Sequence, residues 1–254
     1  MNTFKWCDYN WKCEMDGGRI IHPTYPWQWY SLDMIEPDYP RNDDTLLLYI
    51  MRNPKDVKYW DGKVYHPQYE VATMRSIEDF SYGTFSAEIK VPEGRNLSAS
   101  FWLTGSGNWP PEIDIMEGFL DDTGNWFKCF ESYFPWIKLG WRTTTNMHYR
   151  DEQLSKTHIG SRNIPYTKQS KDPMENWIEY KCKWESDKIT FYANNKVVRE
   201  IKGYKCQQMI KNLRNPEKGF KMNVIFNVWV ENPDEHAIEI EQPMKIRNFK
   251  YVPL

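Results

Sequence analysis

A chain of 254 residues fits one large domain or two small ones, and all-β sandwiches often reach this length as a single unit. The 33 Lys and Arg residues nearly balance the 35 Asp and Glu residues, so the net charge of −2 gives no reason to expect a nucleic-acid or anionic-membrane partner. No apolar run approaches the roughly 18 residues that a membrane span requires. Aromatic residues are abundant, with 13 Trp, 16 Tyr and 12 Phe; they favour strands, fill cores and suit the apolar faces of sugar rings.

The cysteines number five, at positions 7, 13, 129, 182 and 206, and they include no Cys-x-x-Cys pair. A metal cluster or a dense disulfide framework is therefore not expected, and at least one thiol should be free. The first residues, Met-Asn-Thr-Phe-Lys-Trp-Cys-Asp, lack the apolar stretch of a secretory signal.

The first seventy residues are rich in proline, which predicts long loops over a sheet, as a loop-rich part of the same domain. Alternation at period two then predicts a strand at residues 84–91. The later segments alternate in the same way and predict five more strands, at residues 177–184, 188–193, 196–201, 220–230 and 244–252. Helical periodicity is scarce, and one short helix is predicted at residues 207–213. Together these segments predict a single all-β domain over residues 1–254, built of two stacked sheets.

The most informative segment reads Glu112-Ile-Asp-Ile-Met-Glu117 and follows two prolines that set the start of a predicted strand. In plain alternation Glu112 and Asp114 share one face of the strand, while Glu117 falls on the other. One inserted residue, a β-bulge near Ile115 and Met116, would return Glu117 to the face of the other two acids. Ile113 and Ile115 would then point inward and anchor the strand in the core.

Three acids on one face repel each other, so stability does not favour this arrangement, whereas catalysis does. Retaining glycosidases need two carboxyl groups about 5–5.5 Å apart, one ionised as the nucleophile and one protonated as the acid. Mutual repulsion raises one pKa and supplies an acid near neutral pH. The alternative is a solvated edge strand with scattered acids; the five-residue spacing, the apolar alternates and the flanking prolines and aromatics disfavour it.

The segment Glu112-Ile-Asp-Ile-Met-Glu117 resembles the E-x-D-x-x-E signature of glycoside hydrolase family 16. The resemblance covers roughly residues 70 to 254, and it includes the segments at 75–76, 80–92, 101–103, 147–149, 177–198 and 243–252. It implies a concanavalin-like jelly-roll β-sandwich of two stacked antiparallel sheets, whose concave sheet forms a glycan-binding cleft. It also implies that Glu112 is the nucleophile, Asp114 its partner and Glu117 the acid/base.

Further residues match positions that contact substrate in this family. Trp109 and Trp102 resemble tryptophans that line the cleft near the cleavage point, with a core role as the alternative. His148 resembles a histidine on a strand beside the acid/base, where it could hydrogen-bond Glu117 or a sugar hydroxyl, although a lone histidine is more often structural. Arg75 would border the cleft, with an exposed ion pair as the alternative.

Four more candidates lie in loops or late strands. Trp136 and Trp141 flank a loop after the catalytic strand and could stack on sugars. Asn227 and Trp229 lie on a late strand that would cross the cleft floor. No cofactor and no catalytic metal are expected, although the resemblance allows a structural calcium on the convex face, bound largely by backbone oxygens. A monomer, with a polysaccharide as its partner and neither nucleic acid nor membrane, is expected outside the cell or at its surface.

The leading functional hypothesis is endo-hydrolysis of a β-linked polysaccharide, most favourably β-1,3- or β-1,3-1,4-glucan. The bulged signature resembles laminarinases and the agarase and carrageenase branches, so a β-galactan (agar, carrageenan, porphyran or mucin-type glycan) is the alternative. Sulfated substrates would need cationic partners such as Arg142, Arg150 and Arg162. A lectin-like binding module and a structural adhesion protein are the other classes, but neither requires all three acids.

Overall fold

β-Strands dominate the fold in a computed structural model that describes residues 3–15, 20–22, 25–38, 44–59, 62–94, 97–105, 109–119, 142–151, 156–159, 162–163, 174–212, 221–231 and 240–254. The strands of the N-terminal part are β1 (Thr3–Trp6), β2 (Tyr9–Lys12), β3 (Ile21–His22), β4 (Tyr25–Tyr30), β5 (Ile35–Pro37), β6 (Leu46–Leu48), β7 (Ile50–Arg52), β8 (Val57–Lys58), β9 (Val64–Tyr65), β10 (Tyr69–Val71) and β11 (Thr73–Ser76). The later strands are β12 (Gly83–Lys90), β13 (Glu93–Gly94), β14 (Leu97–Gly105), β15 (Glu112–Phe119), β16 (Arg142–Asp151), β17 (Lys156–Ile159), β18 (Arg162–Asn163), β19 (Ile178–Trp184), β20 (Lys188–Ala193), β21 (Lys196–Lys202), β22 (Met222–Val230), β23 (Ile240–Gln242) and β24 (Met244–Pro253). A short 3-10 helix covers Leu32–Met34, and the helix α1 covers Tyr204–Asn212.

Two large antiparallel sheets hold most of the described strands. One has nine strands in the order β1-β2-β11-β22-β14-β15-β16-β17, with β18 also paired to β16. The other has seven strands in the order β21-β20-β19-β12-β24-β6-β5. A smaller sheet of four strands, β3-β4-β10-β7, includes the parallel pair β4 and β10. This topology is the two-sheet sandwich that the sequence predicted.

The core lies between the two large sheets and is strongly aromatic. Phe249 of β24 lies 5.8 Å from Phe226 of β22 and 6.2 Å from Phe101 of β14, measured between ring centroids. Phe101 and Phe226 stack at 4.5 Å on adjacent strands of the nine-stranded sheet. Burying each such ring contributes about 1.5–3 kcal/mol to folding. Since one face of the nine-stranded sheet is committed to this core, the opposite face is left to carry polar side chains.

The strands predicted from alternation correspond to β12, β19, β20, β21, β22 and β24, with bounds that agree within two residues. The predicted helix is α1, which begins three residues earlier than expected; residues 213 and 220 of the predicted segments lie outside the described residues. The described cysteines, at positions 7, 13, 182 and 206, are free thiols. Among the described residues no helix is long and apolar enough to cross a membrane.

The N-terminal part differs from the prediction of long loops. It contributes β1 and β2 to the nine-stranded sheet and β5 and β6 to the seven-stranded sheet. The strands β1 to β10 of the N-terminal part are two to six residues long, too short for alternation to identify them. The prolines lie where pairing tolerates them: Pro37 ends the edge strand β5, and Pro26 precedes Gln28, the first residue of β4 that pairs with β10.

Candidate active site

A β-bulge interrupts β15 at the position that the sequence predicted. Asp114 pairs with Asn146 of β16 and Glu117 pairs with Thr144, so two residues of β15 lie opposite one residue of β16. The pairing of β15 with β14 shifts register at the same point. The two residues of β15 that share this single position are Ile115 and Met116. The predicted bulge is therefore confirmed.

The bulge sorts the side chains of β15 between the two faces of the sheet. Ile113, Ile115 and Met116 are fully buried and belong to the hydrophobic core. Glu112 and Glu117, by contrast, are half-buried on the opposite face, together with Asp114. The structure thus brings the three predicted acids together on one face.

The carboxyl group of Glu112 has defined partners on both oxygens. The indole Nε1–H of Trp109, a residue that is 54% exposed, donates to Oε2 over 2.9 Å. Nε2 of His148 lies 3.2 Å from Oε1. Burial raises the pKa of Glu112 well above its ordinary value of 4.5, and the nearby Asp114 raises it further, while His148 and Trp109 lower it.

His148 lies on β16, the strand beside β15, where it approaches Glu112 and Asp114 and its charge also acts on Glu117. It pairs across the strands with Glu112, and its Nε2 is 3.2 Å from Oδ2 of Asp114. The amide Nδ2 of Asn146 is 2.9 Å from the same nitrogen, and its orientation is fixed because Oδ1 accepts the backbone N–H of Met147. Since Nε2 can hold only one hydrogen, it cannot donate to both carboxyl groups. Glu112 and Asp114 are hydrogen-bonded to each other and share a proton.

Asp114 is the most buried of the acids, with 2% of its surface exposed. Burial raises its pKa well above the ordinary value of 3.8, and the charge of Glu117 raises it further. A hydrogen bond with Glu112 and the positive charge of Arg199 lower it. Arg199 belongs to β21 of the other sheet, and its Nη1 donates to the backbone oxygen of Thr145, the residue opposite the bulge, over 2.7 Å.

Asp114→Asn is expected to stabilise the fold at neutral pH and to leave its stability unchanged in acid. Asp114 has a raised pKa in the folded protein, so it ionises in the unfolded chain at lower pH than in the folded one. The protein therefore loses stability as pH rises from 3.8 to the folded-state pKa, because burial disfavours the ionised carboxylate. Each kcal/mol recovered moves the unfolding midpoint by roughly 2–4 °C in a chain of this size. Thermal unfolding followed by circular dichroism at about pH 7 and about pH 3 measures the effect.

The matched control is Asp8→Asn, because the Asp8 side chain is 98% exposed and loses little solvation on folding. Its midpoint should follow that of the wild type at both pH values. A midpoint for Asp114→Asn that falls at neutral pH would show that the buried carboxylate contributes net stability, contrary to this expectation.

Glu117 is held by a different set of groups. Burial raises its pKa, the charge of His148 and a hydrogen bond from Asn146 lower it, Glu231 raises it, and the nearby Thr144 hydroxyl lowers it. Thr144 is its cross-strand partner, so Asn146 and Thr144 both approach it from β16. Glu117 is thereby oriented independently of Trp109.

The floor beside the acids is formed by β14 and β22. Oδ1 of Asn227 accepts the indole N–H of Trp102 over 2.8 Å and the hydroxyl of Ser100 over 2.6 Å. Trp102 and Ser100 pair with Asp114 and Glu117, so this network lies next to the acids. The predicted floor residue Asn227 therefore acts by fixing Trp102.

Arg75 and Trp229 lie farther along the same face. Arg75 is 6% exposed, and its Nη2 donates to Oδ1 of Asn223. Arg75 is therefore buried, unlike the exposed ion pair that was the alternative interpretation. Trp229 is half-buried and pairs across the strands with Ser98. Trp136 and Trp141 lie outside the described residues. Arg150 is exposed on β16, while Arg142 and Arg162 are placed in β16 and β18.

One group of side chains in the described part of the chain could hold a metal ion. Glu112, Asp114 and His148 each offer one ligand atom, and these atoms lie within 4.8 Å of one another. Glu112 and Asp114 share a proton in the site described above, so a cation bound there would displace that proton. The absence of a catalytic metal and the structural calcium on the convex face both stay predictions.

Several residues of the site were not identified from the sequence. Thr144 and Asn146 carried a signal, because with His148 they place a polar side chain at every second residue of one strand. Asn223 carried a weaker signal, because it lies on the same face of β22 as the predicted Asn227 but with the apolar Ile225 between them. Glu231 carried none, because its position depends on how β22 ends.

Comparisons with known proteins agree with the fold. The chain matches the family described as glycosyl hydrolases family 16 over residues 49–243. Galactan endo-β-1,3-galactanase of Flammulina velutipes is 30% identical over 151 residues, which make up 58% of this chain and 55% of that protein. The matched part thus spans about half the length of that relative.

Solved structures share the fold across nearly the whole chain at low sequence identity. The catalytic domain of a laminarinase from Thermotoga petrophila has a TM-score of 0.62 and 16% identity, covering 98% of this chain and 94% of its own. Porphyranase B of Zobellia galactanivorans has a TM-score of 0.64 and 15% identity, covering 98% and 88%. A family 16 protein of Bacteroides ovatus in complex with a mixed-linkage glucan product has a TM-score of 0.62 and 18% identity, covering 99% and 97%. The family match includes β15 and every acid on it, and by that match the chain belongs to glycosyl hydrolase family 16.

Proposed function

We propose that the protein is a retaining endo-glycosidase that hydrolyses a β-linked polysaccharide, with Glu112 as nucleophile, Glu117 as acid/base and Asp114 as partner of the nucleophile. The observation that carries this proposal is the bulge in β15, which gathers three desolvated carboxyl groups on one face of the sheet. A fold gains nothing in stability from that arrangement. Double displacement at an anomeric carbon requires two of these carboxyl groups, one as nucleophile and one as acid/base.

The hydrogen bonds around Glu112 favour its ionised form. The Trp109 indole donates to one oxygen and His148 approaches the other. Asp114, the most buried acid, is hydrogen-bonded to Glu112, and one proton on this pair relieves the repulsion between the two carboxyl groups. During attack that proton lies on Asp114, so that Glu112 is ionised. The Glu112 carboxylate attacks the anomeric carbon, the bond to the leaving oxygen breaks, and a glycosyl ester forms.

Glu117 supplies the proton that the leaving oxygen needs. Burial raises its pKa, so it stays protonated to higher pH than an exposed glutamic acid. Its hydrogen bond with Asn146 fixes its orientation. After the leaving group departs, the Glu117 carboxylate takes a proton from water, which attacks the ester and releases the sugar with its original configuration.

The choice of substrate rests between a glucan and a galactan. The relative identified by sequence is named an endo-β-1,3-galactanase, and a solved structure with the same fold is titled an endo-1,3-β-glucanase. The β-1,3 linkage is common to both names and is the linkage that we favour. The exposed ring of Trp109 beside Glu112 offers a stacking surface for either sugar.

A polysaccharide panel with product sizing tests the proposal. Laminarin, mixed-linkage β-glucan, β-1,3-galactan, agarose, κ-carrageenan and porphyran are incubated with the wild type and with Glu112→Ser. Endo-hydrolysis releases a ladder of oligosaccharides from one class of polymer with the wild type only. Binding of a polymer without any release of reducing ends would instead identify a lectin-like module.

The first product is expected to keep the β configuration. Two successive displacements at the anomeric carbon restore its original stereochemistry. Proton NMR of a fresh digest resolves the two anomers before mutarotation mixes them. Early appearance of the α anomer would overturn the retaining assignment while leaving the hydrolytic function in place.

A further inference from the structure

The strand β4 forms a rim beside the catalytic face, and it precedes the family match, which begins at residue 49. Two hydrogen bonds tie it to the end of β22. The indole N–H of Trp27 donates to the backbone oxygen of Val230 over 2.9 Å, and the Val230 N–H donates to Oε1 of Gln28 over 2.8 Å. Gln28 is 1% exposed, so this attachment is shielded from water. The rim is therefore held at a fixed position against the cleft.

The rim brings Tyr25 within range of the charges of the catalytic acids. Its ring packs edge-on against Trp27, with centroids 5.4 Å apart, and it is half-buried. Burial raises the pKa of Tyr25, and the carboxylates of Glu231, Glu117 and Glu112 raise it further, in that order. The charges of both proposed catalytic groups therefore act on the phenol, and the charge of Glu231 has the largest effect of the three.

Glu231 is a fourth carboxyl group on the Glu117 side of the site. It follows β22 directly, and the hydroxyl of Ser98 donates to its Oε1. Ser98 lies on β14 two residues before Ser100, the cross-strand partner of Glu117. The rim and the end of β22 therefore bring a phenol and a carboxylate to the same edge of the cleft.

We propose, building on the glycosidase function above, that Tyr25 and Glu231 bind the hydroxyl groups of the sugar unit that lies beside Glu117. A carboxylate only accepts hydrogen bonds and a phenol can donate one, so together they match a sugar hydroxyl, which does both. The negative charge of Glu231 disfavours a sulfate ester at that position. The polysaccharide then carries a neutral, unsulfated sugar beside the acid/base.

Glu231→Gln and Tyr25→Phe test this pair. With the polysaccharide that the wild type cleaves, Glu231→Gln is expected to raise KM roughly 10- to 100-fold, the range for loss of a charged hydrogen bond. Tyr25→Phe should raise KM about 3- to 10-fold, as for a neutral one. Glu200→Gln and Tyr192→Phe, on β21 and β20 of the other sheet, are the matched controls and should leave KM unchanged.

The pH profile provides a readout that a purely structural role would not move. The charged and titratable groups that act on Glu117 are His148, Glu231 and Asp114, with Glu112 and Tyr25 next to them. Removing the negative charge of Glu231 lowers the pKa of Glu117. The basic limb of kcat/KM is therefore expected at lower pH in Glu231→Gln than in the wild type.

A sulfated and an unsulfated preparation of the same polysaccharide test the charge preference. The wild type should prefer the unsulfated form, and Glu231→Gln should narrow that preference. If the wild type cleaves no polysaccharide, the glycosidase function itself fails. If the wild type cleaves one, the two variants are compared with it. When both variants keep the KM, the basic limb of the pH profile and the preference for the unsulfated polymer of the wild type, the inference about Tyr25 and Glu231 is overturned and the glycosidase function stands. Should Glu231→Gln not fold, an unchanged KM in Tyr25→Phe is sufficient to overturn it.

Discussion

Glu117→Gln is expected to lower kcat by about 10²–10⁴-fold, the usual contribution of a positioned general acid. Glu112→Ser should lose at least as much, because no covalent intermediate can form without the nucleophile. Both variants should fold and bind oligosaccharides nearly as the wild type does, since the aromatic contacts of the cleft remain. Asp114→Asn should be milder but clearly impaired, because it weakens the proton-sharing unit around the nucleophile.

Initial rates, unfolding midpoints and oligosaccharide affinities measured on the same preparations separate these effects. Glu175→Gln is the control, because Glu175 is exposed and lies away from β15. Near-normal turnover in either catalytic variant would refute the roles given to Glu112 and Glu117. Loss of binding together with turnover would mean that the carboxylates organise the cleft rather than perform the chemistry.

Deleting Met116 is expected to leave a folded protein, whereas deleting Ile113 should abolish soluble expression. Without Met116 the strand reads E-x-D-x-E, so plain alternation keeps all three acids on the cleft face and lets Ile115 take the core position opposite Phe101. Without Ile113 the register changes in the regular part of the strand, and a carboxylate enters the core. An unpaired buried charge costs several kcal/mol, a large share of the roughly 5–15 kcal/mol that stabilises a domain.

Soluble yield, circular dichroism and weak residual activity distinguish the two deletions. Met116→Ala is the control for the lost side chain; it should stay folded with a lower midpoint, since truncating a buried Met costs about 2–5 kcal/mol. A misfolded Met116 deletion beside a soluble Met116→Ala would show that the bulge is needed for folding and is more than a device for placing Glu117.

Local alternation was sufficient to predict six of the described strands, but not the long strands β14 and β16. Counting residues along β15 puts Glu117 on the face opposite Glu112, so the bulge was predicted from the spacing of the acids and the chemistry that needs them in one cleft. The partner of His148 depends instead on how β16 is registered against β15, which no local pattern determines. The sequence therefore suggested Glu117 or a sugar hydroxyl as the partner of His148, which pairs across the strands with Glu112.

The N-terminal strands were missed for a related reason. β3 and β8 have two residues each, and β4 begins with Tyr25-Pro26, a pair that favours a turn or an extended loop. Their strand character comes from partners far along the chain, because tertiary pairing overrides weak local propensity. Tyr25 and Glu231 could be associated only once the attachment of β4 to β22 was known.

That attachment also has a consequence for the order in which the chain folds. Trp27 and Val230 are hydrogen-bonded although they are 203 residues apart, and β22 lies between β11 and β14, which precede it by more than a hundred residues. At about 5–20 residues per second, a ribosome needs about 10 to 40 s to make the intervening chain. During that time the edges of β11 and β14 that β22 will join lack their final partner, and such edges invite pairing with other chains. Slower synthesis should therefore lower the soluble yield, because the nine-stranded sheet closes and the rim is seated only after β22 has been made.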